Sequence, residues 1–342
     1  MTRHLLVTGS GGFVGGHVVA AAGAAGGVRL RLLVRTVPPP GPGPAAGLPV
    51  TYVRGDLTEP ASLTGVCDGV DAVVHCASRV GGDPEALRRT NDLGTRALVE
   101  EARRAGVGRF VYLSTAAVHG RGPFRRARPD GLPVAPGSDT SRTRAAAEAH
   151  VRAAGGTVLR PHLVYGAGDR WVVPGVLTLL RTLGALPEGP LGRQSAVDAA
   201  ALGRALLSAA LTPLERVGGV RFVAHPRPVR GEELIAAVAE TYGLIPGALP
   251  TLPLDEARAR LRGHTVARHH LDLLAVDHWF DGTPVWDVLG CSPGPEFAEG
   301  LDRYADRYRN AEPAPEREPG RAQPTPEAVR SGPTVSSGAK GR

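Results

Sequence analysis

Chemistry-bearing residues crowd the start of the chain, in Thr8-Gly9-Ser10-Gly11-Gly12-Phe13-Val14-Gly15. Gly9, Gly12 and Gly15 fall every third residue, behind the apolar run 4–8 (HLLVT) and ahead of an Ala-rich stretch. Glycines there let a strand turn tightly, let backbone approach a pyrophosphate, and let helix pack on strand. The helix N-terminus adds N–H donors and the positive dipole end. With 46 glycines in the chain, the spacing alone would be weak. A strand before it and a helix after it make it a dinucleotide signature. Gly9, Gly11, Gly12, Phe13 and Val14 are therefore the expected phosphate-turn contacts.

The second strand ends Leu33-Val34-Arg35, and the next acid is Asp56. An NAD site usually puts a carboxylate about 20 residues past the glycines, on the ribose hydroxyls. A forked guanidinium suits a 2′-phosphate instead, so Arg35 points to NADP(H). The competing reading is a surface arginine in an arginine-rich chain.

Other candidates lie at later strand ends. Ser114 and Thr115 can hydrogen-bond a carbonyl or carboxamide, or cap backbone. Ser78 can reach ribose or substrate. His119 and His162 have the pKa range of a general acid. Phe124 and Trp171 can stack on a flat ligand, although isolated aromatics more often pack.

These side chains need elements to carry them. Strand patterns cover 4–8, 29–34, 50–53, 70–76, 107–114, 157–160 and 219–224; helical patterns cover 13–25, 84–105, 138–154, 172–186, 196–211, 231–243 and 296–309. Residues 36–49 and 121–137 read as loops. Short apolar strands joined by helices imply an α/β fold, a Rossmann-like doubly wound parallel sheet. The expected division is a cofactor domain over 1–165, with the chain returning near 196–224. A smaller C-terminal substrate-binding region takes 166–195 and 225–310. Residues 311–342, without Leu, Ile, Phe, Tyr or Trp, are expected to be a disordered tail.

Composition excludes several classes. The chain has 342 residues, 42% hydrophobic, and no apolar run near the roughly 20 residues of a membrane span. Its first residues enter a strand pattern at once, so no signal peptide is expected. Cys67, Cys76 and Cys291 lack metal-ligand spacing and read as reduced thiols, so a cytoplasmic setting and no metal are expected. The net charge is +7, but arginines are spread along the chain. The densest group, Arg121, Arg125, Arg126 and Arg128, lacks interleaved aromatics, so no nucleic-acid partner is expected. Lys340 is the sole lysine, so a mechanism that needs lysine has only that one.

From about 4 to 310 the chain resembles the short-chain dehydrogenase/reductase superfamily, in its extended, atypical branch. Gly55-Asp56-Leu57 resembles the family's adenine contact, and His75-Cys76-Ala77-Ser78 its ribose segment. Residues 90–95 (TNDLGT) resemble its Asn-bearing helix, and 112–120 (YLSTAAVHG) the strand with its catalytic Ser/Thr. Residues 160–166 (RPHLVYG) resemble the nicotinamide segment, which implies cofactor contacts from Pro161 and His162. Val197-Asp198 and 286–290 (WDVLG) also match the extended branch.

The resemblance fails at the family's Tyr-x-x-x-Lys pair. Thr140 stands in the tyrosine position and Arg144 in the lysine position. Arg144 can take over ribose holding; alternatively it forms an exposed pair with Glu148 one turn on. A threonine is a poor replacement for an acidic phenol, and positioned acid catalysis typically supplies 10²–10⁴-fold. Three readings follow. A substrate phenol beside the ketone gives the proton, as in ketoreductases of angucyclinone-type aromatic polyketides, which the chain also resembles. Alternatively His162 or His119 is the acid. Or the chain is a non-catalytic NADP-binding regulator. Epimerases and dehydratases need the tyrosine more, because they take hydride from an alcohol.

Overall fold

A computed structural model describes residues 2–38, 47–244 and 249–311. The expected tail, apart from Ala311, and part of the 36–49 loop lie outside these residues.

Seven strands form one parallel sheet: β1 Arg3–Thr8, β2 Val28–Val34, β3 Val50–Arg54, β4 Ala72–His75, β5 Arg109–Leu113, β6 Thr157–Arg160 and β7 Gly219–Phe222. Their spatial order is β7-β6-β5-β4-β1-β2-β3. Strand order therefore reverses between β1 and β4, and their carboxyl ends open a crevice where ligands bind in such sheets.

Each sheet face is covered because successive side chains alternate. Leu5 and Val7 on β1 face α1 (Phe13–Ala25) and a later helix, Ala199–Leu211, through Val18, Ala22, Leu202 and Leu206. Leu6 faces the other way, toward α2 (Gly94–Arg104) and α3 (Asp139–Ala153), with Leu98, Ala102, Ala147 and Val151. Before α2 the chain runs through Pro84–Leu87 and a π-turn, Arg88–Leu93.

A second core lies on the C-terminal side. Val172–Leu183, Gly231–Thr241, Thr265–Leu274 and Phe297–Asp302 contribute Leu177, Leu180, Leu234, Val238, Leu271 and Leu301. A four-stranded sheet links this region to the 121–137 segment: Val229–Arg230, Arg193–Gln194, His278–Phe280 and Phe124–Ala127, in that order.

Several expectations need correction. The helix expected over 172–186 stops at Leu183, because Gly184 takes a left-handed conformation at φ 62°. Leu186–Glu188 then pairs with Thr251–Pro253. The helix expected over 196–211 begins with a strand, Ala196–Asp198, paired with Leu163–Tyr165. The Asp198 carboxylate caps the helix that follows, accepting from Ala201 N at 2.8 Å. The last helix breaks into Phe297–Asp302 and Ala305–Asn310. The 121–137 loop contains the strand Phe124–Ala127. A helix not expected from the sequence, Thr265–Leu274, buries Ala267, Leu271 and Leu274 at helical spacing.

Candidate active site

The phosphate turn is held by contacts only glycine tolerates. Gly9 has φ +70°, and a Cβ there would stand 2.7 Å from Ala77 N, at the end of β4. A Cβ on Gly15 would stand 2.0 Å from the Gly9 carbonyl. Gly12 N donates to Gly9 O at 2.9 Å and closes the turn. Gly12 caps α1 with no side chain, and no acid occupies the first turn. The N–H groups of Phe13 and Val14 thus lack helical acceptors. Around Gly11 a Cβ would meet nothing within 4 Å. An uncapped, glycine-cradled helix start of this kind fits a dinucleotide pyrophosphate.

His75 locks β1, β4 and α2 together. Its Nδ1 bonds Thr8 Oγ1 at 2.6 Å and its Nε2 bonds Thr95 Oγ1 at 2.9 Å. Burial, with the Arg144 charge, lowers the imidazole to about 3 and keeps it neutral. Ala77 N donates to Thr8 Oγ1 at 3.2 Å, so Cys76, Ala77 and Ser78 leave the sheet beside the turn. Burial pushes the Cys76 thiol up to about 12, so it stays a thiol.

Arg35 is exposed at the end of β2. Asp56 Oδ1 accepts from the Thr58 N–H and hydroxyl, both at 2.8 Å. The Thr58 N–H foremost, then its hydroxyl and the Arg35 charge, hold the Asp56 carboxyl below its usual range. Leu57 is buried against the first residue of α2.

The Thr140 and Arg144 positions lie on α3, which starts with a capping box between Ser138 and Ser141. Thr140 Oγ1 accepts from Gly81 N at 3.1 Å. Arg144 Nη2 donates to Leu113 O at 2.5 Å, while its Nε is buried without a partner. The buried Tyr112 hydroxyl also lacks a partner; burial pushes this phenol up and the Arg144 charge opposes.

The expected Arg144–Glu148 pair is not formed. Glu148 pairs instead with Arg160, whose Nε donates to Glu148 Oε1 at 2.8 Å. The buried Ser114 hydroxyl donates to the same carboxylate. Arg160 Nη1 donates to His119 Nε2 at 3.0 Å, so His119 Nδ1 carries the proton and donates to Pro133 O at 2.8 Å. Both His119 nitrogens are occupied, and burial lowers its pKa. His162 stacks on His278 with centroids 5.0 Å apart, and its Nε2 is buried without a partner. Burial first, then His278, lowers His162 to about 3. Burial disfavours the charged form of both rings.

Thr115 Oγ1 accepts from Ala117 N at 3.2 Å, capping the turn Ala116–His119. Ala116 N donates to Pro161 O at 2.8 Å, bringing Thr115 beside the Pro161-His162 segment. Phe124 is half-buried, 5.1 Å from Phe280 in an aromatic cluster with His119. Trp171 is 61% exposed. Its backbone is fixed by Asp169 Oδ1, which accepts from Trp171 N at 2.8 Å, and by His270 Nε2 on its carbonyl at 2.9 Å.

In sequence Glu148 stands out only as a possible partner of Arg144, and Asp169 not at all; Asn91 and Arg160 lie in the segments 90–95 and 160–166, where the residues they bond are not legible. Among the described residues no three potential metal ligands converge. No described helix is long and apolar enough to cross a membrane.

The chain is similar to a 2-alkyl-3-oxoalkanoate reductase of Stenotrophomonas maltophilia, 28% identical over 87% of this chain and 97% of that one. It is similar to the 4-hydroxy-2-methyl-3-oxo-4-farnesyl-3,4-dihydroquinoline-1-oxide ketoreductase of Stigmatella aurantiaca, 30% identical over 74% of this chain and 77% of that one. Its fold is similar to DesIV, a dTDP-glucose 4,6-dehydratase from Streptomyces venezuelae solved with NAD and TYD. The TM-score is 0.69 at 24% identity, covering 90% of this chain and 97% of that one. The model of the NAD dependent epimerase/dehydratase family matches residues 5–184. The chain belongs to that family, the extended branch of the short-chain dehydrogenase/reductases.

Proposed function

We propose that the protein is an NADPH-dependent ketoreductase. Its substrate is a ketone of an aromatic polyketide of angucyclinone type, in antibiotic biosynthesis, and the substrate's own phenol supplies the proton. The loss of the Tyr/Lys pair on this fold resembles the angucyclinone ketoreductase of simocyclinone biosynthesis.

One observation carries the reading: the protic side chains around Thr115 are committed elsewhere or too weakly acidic. Ser114 donates to Glu148, His119 is held neutral between Arg160 and Pro133, and Thr140 faces Gly81. An acid-free site suits a ketone that carries its own acid. Two relatives are named as reductases of oxo compounds, and one name places 3-oxo beside 4-hydroxy on a fused ring. Val80, five residues past the carboxyl end of β4, and Trp171 are exposed by 49% and 61%, which suits an apolar ligand at that end of the sheet.

Gly9, Gly11, Gly12, Phe13 and Val14 hold the pyrophosphate, and Arg35 the 2′-phosphate. Asp56 and Leu57 flank adenine, and Cys76, Ala77, Ser78 and Arg144 line the ribose. Ser114 supports the cofactor side through Glu148, and Pro161 and His162 flank the nicotinamide. When bound, NADPH supplies hydride to the carbonyl carbon. Thr115 keeps a free hydroxyl proton to steady the carbonyl oxygen, because its lone pair takes the Ala117 N–H. The phenol proton moves to that oxygen, leaving alcohol and phenolate. Phe124 and Trp171 bound the aromatic ligand, and positioning supplies most of the rate.

The test mixes protein, NADPH and a peri-hydroxy aromatic ketone or its methyl ether, following reduced-nicotinamide absorbance. The free phenol should turn over, and the ether should be slower by about 10²–10⁴-fold. Equal rates would overturn the substrate-derived proton. Binding without turnover across ketones would indicate a regulator.

A further inference from the structure

Thr140 stands where the family carries its acid, yet its hydroxyl serves the loop after β4. Gly81 N donates to Thr140 Oγ1 at 3.1 Å. Two residues earlier, Arg79 N donates to Asn91 Oδ1 at 2.7 Å, and Asn91 Nδ2 donates to Arg79 O at 3.0 Å. Asn91 is completely buried in the π-turn, and its Nδ2 also donates to Thr143 Oγ1 at 3.0 Å. The Thr143 hydroxyl donates to Asp139 O and Thr140 O at 3.0 and 3.1 Å, tying this contact back to the first turn of α3. Three backbone atoms of the loop are thus gripped from α3 and the π-turn.

The loop needs such a grip. Gly81 and Gly82 sit at φ 68° and 92°, where glycine is at ease and loses most entropy on ordering. Arg79 and Val80 are exposed, so little packing fixes the segment. Asn91 holds only its root at Arg79; the hydrogen bond to Thr140 holds its tip. A tyrosine hydroxyl lies much farther from its backbone than a threonine Oγ1, so it could not accept from Gly81 N in this conformation.

We infer that Thr140 is a positioning residue that anchors the Arg79–Gly82 loop. The anchored loop, rooted at Ser78 and carrying Val80 outward, roofs the ribose and nicotinamide side of the cleft. This placement rests on the proposed cofactor site; the anchor itself does not. The tyrosine position has then been reused to order a loop. On this inference, restoring tyrosine frees the loop.

The test compares the full-length protein with Thr140→Ser, Thr140→Val and Thr140→Tyr. Amide hydrogen exchange is read on peptides spanning 79–83, and NADPH dissociation constants by titration. Loss of one hydrogen bond should speed exchange in Thr140→Val and Thr140→Tyr on the order of 2- to 10-fold, with Thr140→Ser matching the parent. NADPH binding should weaken in the same two variants and recover in Thr140→Ser. With a ketone, Thr140→Val should raise KM and leave the pH profile of kcat unchanged. Unchanged exchange in Thr140→Val, or equal speeding in Thr140→Ser, would overturn the anchor. If the parent protein failed to bind NADPH, the functional reading would fall, and exchange would still decide the role of Thr140.

Discussion

Glu148 and Arg160 form an ion pair whose side chains are each only 3% exposed, and the pair joins α3 to β6. Glu148 also accepts the Ser114 hydroxyl, and Arg160 also donates to His119. The pair is the centre of a buried chain running from β5 to the Pro133 carbonyl.

Removing one partner should strand the other charge in the interior. Glu148→Ala should cost about 3–5 kcal/mol of unfolding free energy, read by urea denaturation. Glu148→Leu combined with Arg160→Met should cost less than the two single changes added. A double variant as unstable as that sum would show that the charges act independently.

The phosphate turn contains two glycines with different jobs. Gly11→Ala meets no protein atom, so melting should barely move while NADPH binding weakens at least tenfold. Gly15→Ala drives a Cβ into the Gly9 carbonyl, so stability itself should fall by several kcal/mol. Thermal melts and NADPH titration separate the two. A Gly11→Ala variant with unchanged NADPH affinity would move the pyrophosphate elsewhere.

Arg35 should decide between the two nicotinamide cofactors. Losing a charge-assisted contact to phosphate, on the order of 1.5–3 kcal/mol, should weaken NADPH roughly 10- to 150-fold in Arg35→Ala. NADH affinity should stay within about twofold. Equal losses for both dinucleotides would indicate that Arg35 does not read the 2′-phosphate.

His75 should make stability fall in acid. Burial lowers its folded pKa to about 3 from the usual 6.5, so between those values the unfolded chain binds a proton that the folded chain refuses. The stabilisation is complete above 6.5 and is lost as pH falls toward 3, at about 1.4 kcal/mol per pH unit at most. Urea unfolding at pH 7 and pH 5 should differ by about 1–2 kcal/mol from this group. His75→Gln should remove that share of the slope. An unchanged slope would mean that His75 takes up its proton as readily in the fold as in the unfolded chain.

The sequence by itself determined the glycine turn, the parallel sheet and the absence of tyrosine and lysine from positions 140 and 144. These are local properties. Glycine spacing, strand–helix alternation and residue identity need no knowledge of what lies across the sheet. Tertiary structure alone decided what the remaining groups do. Ser114, Glu148, Arg160 and His119 are 34, 12 and 41 residues apart along their chain of hydrogen bonds, and meet because α3 lies against the ends of β5 and β6. Arg144 and Glu148 look like a one-turn pair in sequence, but burial gave Glu148 the better-matched and equally buried Arg160. Thr140 looks like a lost acid, and only the neighbouring loop shows its hydroxyl holding Gly81. A hydrogen bond depends on where a donor and an acceptor come to rest, which composition and periodicity do not encode.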